Sequence, residues 1–182
     1  MTRRGAVLLV VVGAIGLMTL VVIATWGAGA GPFGAGRGLS VVNCAPRDPR
    51  GAVVRVNLTD RGGAMMGDAN PMMLSVSASP DSVTSGTVTF VATNTGVMIH
   101  ELLVLPAAVD GVGMRAVSGD GTINEASSLG EASTSCGAGV GGGIAPGTTS
   151  WVTLHLAAGN YELLCDEPWH YANGMFTGFR VD

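Results

Sequence analysis

Apolar residues follow two different rhythms along the chain. From Gly5 to Trp26 they run without a charge, GAVLLVVVGAIGLMTLVVIATW. A helix of that length, at ~1.5 Å per residue, reaches about 33 Å and spans a hydrocarbon core of about 30 Å. From residue 52 onward apolar and polar positions instead alternate with a period of two, most cleanly in Thr87-Val-Thr-Phe-Val-Ala and Trp151-Val-Thr-Leu-His-Leu. This pattern predicts strands over 53–58, 72–77, 87–93, 99–105, 150–156, 161–165 and 176–181. Pro80-Asp81, Asn94-Thr95-Gly96 and Gly159-Asn160 separate them with turn chemistry. Many short strands with hardly any helical periodicity predict an all-β domain over 52–182, built as a Greek-key antiparallel sandwich of two sheets.

Arg3 and Arg4 precede the long apolar run and no basic cluster follows it. The positive-inside rule then puts the N-terminus in the cytoplasm and everything after Ala30 outside. Residues 1–29 read as a single-pass transmembrane anchor, which places the chain in the cell membrane with its C-terminal domain extracytoplasmic. A cleaved signal peptide is the competing reading, because Ala28-Gly29-Ala30 offers small residues at a cleavage position. Residues 30–51 are rich in Gly, Ala and Pro and read as a flexible linker. A second Gly-, Ser- and Ala-rich stretch lies between Pro106 and Thr149; within it 127–132 is expected as one helical turn and 137–143 as nearly structureless.

Charge changes the picture mainly by exclusion. Charged residues are 12% of the chain, the net charge is −4, and all nine basic residues are Arg. No basic stripe with interleaved aromatics exists, so nucleic acid is not an expected partner. With three histidines in all, no Ser/His/Asp or paired-carboxylate catalytic arrangement emerges, and no enzymatic activity is expected.

The chemistry concentrates in one loop. Cys165, His170 and Met175 form a Cys-x4-His-x4-Met segment between two strand-like runs. A thiolate, an imidazole and a thioether, completed by a second imidazole, are the ligand set of a blue-copper centre: two His and one Cys in a trigonal plane with a weak axial Met. Such a mixed set suits neither Cu(II) nor Cu(I) fully and leaves little geometry to rearrange between them. His100, at the start of Ile99-His-Glu-Leu-Leu-Val-Leu, is the candidate for the second histidine. Pro168 stiffens the loop and Gly174 lets it turn. Structural zinc prefers more Cys or His, and Met is not among its usual ligands. A dinuclear copper site needs a second cysteine in the loop, and multicopper oxidases need paired His-x-His motifs; the chain has neither.

The stretch from Asn94 through His100 to Pro106, together with Cys165-x4-His170-x4-Met175, resembles the cupredoxin family, with a loop spacing similar to its sulfocyanin, auracyanin and rusticyanin members. The resemblance covers 52–182. It implies His100, Cys165, His170 and Met175 as ligands of one type 1 copper, electron transfer as the function, and a redox partner such as a haem protein or terminal oxidase. Two positions depart from the family pattern: Glu101 follows the first histidine where Asn or Ser is common, and Trp169 precedes the second where Gly is common. Trp169, Tyr171 and Phe176 are expected to form an apolar rim around His170. The alternative function for the same ligands is copper handling, meaning buffering, delivery or detoxification at the cell surface; the methionines at 65, 66, 72 and 73, with Met98, suit it as thioether donors to Cu(I), although core packing is the plainer reading of them and an apolar docking patch for a redox partner is another.

Cys44 and Cys136 remain once Cys165 is assigned to the metal. In an oxidising compartment they are expected to form a disulfide. Cys44 lies too far beyond the apolar run to be a lipidation site. His155 alternates with apolar neighbours and is expected to face solvent. Asp120-Gly-Thr-Ile-Asn124-Glu125 lacks the pattern of a calcium loop and reads as a turn.

Overall fold

A computed structural model describes residues 44–61 and 73–182. The expected anchor, residues 30–43 of the linker, and Met65, Met66 and Met72 lie outside those residues. Among the described residues no helix is long and apolar enough to cross a membrane.

Alternation builds the strands. In β1 (Ala52–Arg61) Val54, Val56 and Leu58 are buried while Arg55 between them is exposed. The same rhythm shapes β2 (Met73–Ser79), with Leu74 and Val76 inward. The other strands are β3 (Ser82–Val83), β4 (Gly86–Asn94), β5 (Leu102–Pro106), β6 (Gly130–Ala132), β7 (Thr149–Leu156), β8 (Gly159–Leu164) and β9 (Phe176–Val181). One sheet has the order β2-β1-β4-β7 and the other β3-β9-β8-β5-β6. The expected antiparallel pairing holds for most neighbours, but β1–β4 and β3–β9 pair in parallel, so both sheets are mixed. Period-two patterning fixes which face a strand buries and carries no information on the direction of its neighbour.

Inward side chains from both sheets form one core, including Val54, Leu58 and Phe90 from the first and Leu102, Leu163 and Phe179 from the second. Phe90 and Phe179 meet edge to face at 5.2 Å, a geometry that adds about 0.5–1.5 kcal/mol to the burial itself. A smaller cluster of Leu103, Leu105, Ile123, Leu164 and Tyr171 lies on the other face of β5 and β8. The stretch between Pro106 and Thr149 contributes Ile123 to that cluster and is more ordered than its composition suggests. Residues 130–132, expected as part of a helical turn, instead form β6 against β5. The glycine-rich 137–143 is fixed by Gly139 N–H to Trp151 O at 3.0 Å and Gly141 N–H to Ser133 Oγ at 2.7 Å. The segment 118–122 is a turn, closed by Ser118 N–H to Thr122 O at 2.8 Å.

Cys44 and Cys136 form a disulfide with Cα atoms 4.9 Å apart. Cys136 N–H also bonds Thr149 O at 2.8 Å. Farther along, Arg50 exchanges two hydrogen bonds with Thr89 Oγ1, at 3.1 and 2.7 Å. His155 is exposed on β7, as its alternation predicts.

Candidate metal centre

Register brings the donors together. β5 and β8 are antiparallel neighbours with Leu103 opposite Leu164, so His100, just before β5, lies beside Cys165, just after β8. β8 also pairs β9 with Leu164 opposite Phe176, and Cys165 N–H bonds Met175 O at 3.1 Å. The loop between them makes one 3-10 turn, Tyr171–Asn173, which Gly174 ends in the left-handed region at φ 94°. Met175 N–H then returns to His170 O at 3.1 Å. Each expected site residue therefore sits at a strand end or on a loop tied to its neighbours by backbone hydrogen bonds.

His100 Nδ1 is 3.3 Å from His170 Nδ1, and Cys165 Sγ is 3.9 Å from the first and 3.4 Å from the second. A trigonal metal with bonds of about 2.0 Å to nitrogen and 2.3 Å to sulfur needs edges of about 3.5–3.7 Å, so the triangle is already the right size. His100, Cys165 and Met175 are fully buried and His170 is 5% exposed. Burial pushes the Cys165 thiol up to about 12, although the N–H groups of Glu101 and Glu167 pull the other way. Burial, then the nearby His100 ring, lowers the pKa of His170 and keeps that imidazole neutral. Two imidazoles and a thiol turned toward one point, with a buried thioether beside them, are donors without a cation of their own. This set fits one type 1 copper.

The site fits a cupredoxin. No protein-family model and no curated protein matches the chain. Among solved structures it is similar to auracyanin A, a blue copper protein from Chloroflexus aurantiacus, at 16% identity and TM-score 0.44, covering 72% of this chain and 100% of that one. It is similar to the auracyanin of Roseiflexus castenholzii at 18% identity and TM-score 0.46, over 72% and 99% of the two chains. Rusticyanin from Thiobacillus ferrooxidans matches at 21% identity and TM-score 0.40, over 73% and 79%. Likeness at this level carries no weight for the site, which rests on the donor atoms just described.

Both departures from the cupredoxin pattern have a physical account. Glu101 steadies the cysteine loop: its N–H points at Cys165 Sγ at 3.4 Å, and its Oε1 accepts Asp166 N–H at 3.1 Å. Burial, then Glu131, Glu167 and Glu125, pushes its carboxyl up to about 8. Trp169 adopts φ 70°, the left-handed region that glycine enters without penalty. Trp169 N–H bonds Gly121 O at 2.8 Å, and Asn173 Nδ2 donates to Trp169 O at 2.7 Å. Those contacts hold a conformation that costs about 1–3 kcal/mol.

The apolar rim differs from expectation. Trp169 is 53% exposed, but Tyr171 turns inward and its hydroxyl donates to buried Glu162 Oε1 at 2.9 Å. Phe176 packs on Tyr171 at 5.1 Å instead of flanking His170. A hollow of about 340 Å³ opens at His170, lined by Leu74, Met98, Pro168, Trp169 and Asn173.

One residue of the site was missed in the sequence. Asp60, at the end of β1, lies against His100 Nε2 at 2.8 Å and is itself buried. The signal was there: Asp60 continues the inward parity of Val54, Val56 and Leu58, and a carboxylate on an inward position needs a partner.

Proposed function

We propose that this chain is a membrane-held blue copper protein, facing outward from the cell, that carries single electrons between redox partners. His100, His170, Cys165 and Met175 would hold the metal. The observation that supports this most directly is the buried triangle of two imidazole nitrogens and one thiol, with sides of 3.3, 3.4 and 3.9 Å. Copper, when bound, supplies one-electron redox chemistry between Cu(II) and Cu(I).

The protein's own part is to fix and to exclude. Strands β5, β8 and β9 hold the donors in place, so neither oxidation state can draw them to its own preferred geometry. Burial keeps water out. Cys165 would give up its thiol proton to a bound cation, which would override the effect of burial. His170 is the least buried of the four residues, so its ring is the shortest route from the pocket to the surface. The exposed Trp169 and the hollow beside it supply the apolar contact area for a partner, for which the family resemblance suggests a haem protein or terminal oxidase. The apolar run 5–26 supports the membrane attachment.

The test is the visible spectrum of the purified full-length chain loaded with Cu(II). An intense band at roughly 600 nm, from thiolate-to-copper charge transfer, is expected. A colourless protein that binds only Cu(I) would remove the electron-carrier reading and leave copper handling in its place.

A further inference from the structure

His100 has two ring nitrogens, and its neighbours on the two sides differ. Nδ1 faces His170 and Cys165, while Nε2 faces Asp60 Oδ1 at 2.8 Å. The same oxygen accepts the N–H groups of Val97 at 2.8 Å and Met98 at 3.2 Å. Gly96 makes this approach possible, because a Cβ there would sit 1.7 Å from Asp60 Oδ1. Asp60 belongs to β1, in the opposite sheet from β5, so it reaches the ligand across the sandwich. It also ties down the turn that leads into His100.

We propose that Asp60 is the positioning residue of this site, fixing His100 with its proton on Nε2 and its Nδ1 lone pair toward the metal, and placing a negative charge behind that ligand. The inference rests on the copper reading of the site. An ionised carboxylate only accepts hydrogen bonds, so the nitrogen facing it must carry the proton. The other nitrogen is then left as the donor, as a carboxylate behind a histidine ligand commonly arranges. The three hydrogen bonds on one oxygen stop the carboxyl from swinging away, which holds the ring angle. The charge also favours Cu(II) over Cu(I), since the higher cation charge gains more from it.

Two substitutions separate geometry from charge. Asp60→Asn keeps an acceptor oxygen for His100, Val97 and Met98 but removes the charge. Asp60→Leu removes both. In the metal-free full-length chain, long-range 15N spectra of the histidine rings should show His100 as the Nε2–H tautomer in the parent and in Asp60→Asn, and as a mixture in Asp60→Leu. After copper loading, Asp60→Asn should favour Cu(I) over Cu(II) by about tenfold, a rise in reduction potential of about 59 mV for one electron. Asp60→Leu should bind Cu(II) about 10–100-fold more weakly.

A parent chain carrying the proton on Nδ1, or Asp60→Leu with an unchanged tautomer, overturns the positioning role. An unchanged potential in Asp60→Asn overturns the electrostatic one. Should Asp60→Leu fail to fold, the parent tautomer and the Asp60→Asn potential still decide. A parent chain that takes up no copper defeats the functional reading instead, and the metal-free tautomer then decides the role of Asp60 separately.

Discussion

The carboxylate of Glu162 gives the sharpest stability test. It is fully buried on the face of β8 that carries Leu164, beneath the stretch that follows Pro106. Its Oε1 accepts Gly113 N–H at 2.7 Å and the Tyr171 hydroxyl at 2.9 Å, and its Oε2 pairs with Arg115 Nε at 2.7 Å. Replacing Arg115 with Met leaves a buried charge held by two neutral donors, which costs about 3–5 kcal/mol. Against a total stability of about 5–15 kcal/mol for a domain, the unfolding midpoint should fall by roughly 10–20 °C. Glu162→Leu alone should cost less, because Arg115 retains 12% side-chain exposure and can still reach water. The double variant should be more stable than Arg115→Met, since an apolar pair can replace a buried ion pair at little net loss. Urea unfolding of the four full-length proteins, followed by tryptophan fluorescence, closes the double-mutant cycle. If Arg115→Met unfolds within 1 kcal/mol of the parent, or the two single losses simply add, the burial reasoning is wrong.

Three further outcomes are expected. Met175→Leu nearly conserves volume in a fully buried position, so stability should change by under about 1.5 kcal/mol; copper should stay bound while the potential shifts, and loss of copper would show that Met175 is not a weak axial ligand. Gly121→Ala places a Cβ 2.7 Å from Trp169 N at φ 90°, so it should destabilise by about 1–3 kcal/mol and alter the copper spectrum; an unchanged spectrum would mean that the 118–122 turn does not brace the ligand loop. Replacing Cys44 and Cys136 together by Ser opens a closure of 92 residues, which should lower stability by about 4–5 kcal/mol in the chain-entropy view; equal unfolding midpoints with and without reductant in the parent would contradict it.

Most strands could be read from the sequence because facing one core imposes a period of two; Val54/Val56/Leu58 show it in their burial, and Val88/Phe90/Ala92 face the core with it although Thr89 and Val91 between them are buried as well. The candidate donors could be picked out because His100, Cys165 and Met175 lie next to strand ends and His170 on the short loop between two of them, where spacing in sequence becomes proximity in space. What escaped was whatever depends on a neighbour. β6 is three residues, Gly-Glu-Ala, held by pairing to β5, and carries no apolar pattern of its own. Tyr171 turns inward because Glu162 is there to take its hydroxyl, a partner nine residues away in sequence. Glu101 looked like a departure from the cupredoxin pattern, yet its longer side chain still reaches the loop backbone at Asp166. Asp60 announced itself only through parity, and its partner lies 40 residues downstream.

The disulfide also fixes where Cys44 sits on the sandwich. Cys136 is bonded to Thr149, which stands opposite Thr93 beside Asn94, and the Asn94 amide closes on Met98 and Ile144 next to His100. Gly51, by contrast, lies against Thr87, six strand residues or about 20 Å back along β4. The chain therefore meets the folded domain at its metal-bearing end and runs back along the sheet before β1 begins. The disulfide fixes Cys44 at the end of the sheet near His100, and Arg50 is held separately on Thr89. One crosslink thus ties Cys44 to the end of the sandwich that gathers the candidate donors, while β1 starts from the other end of the same sheet.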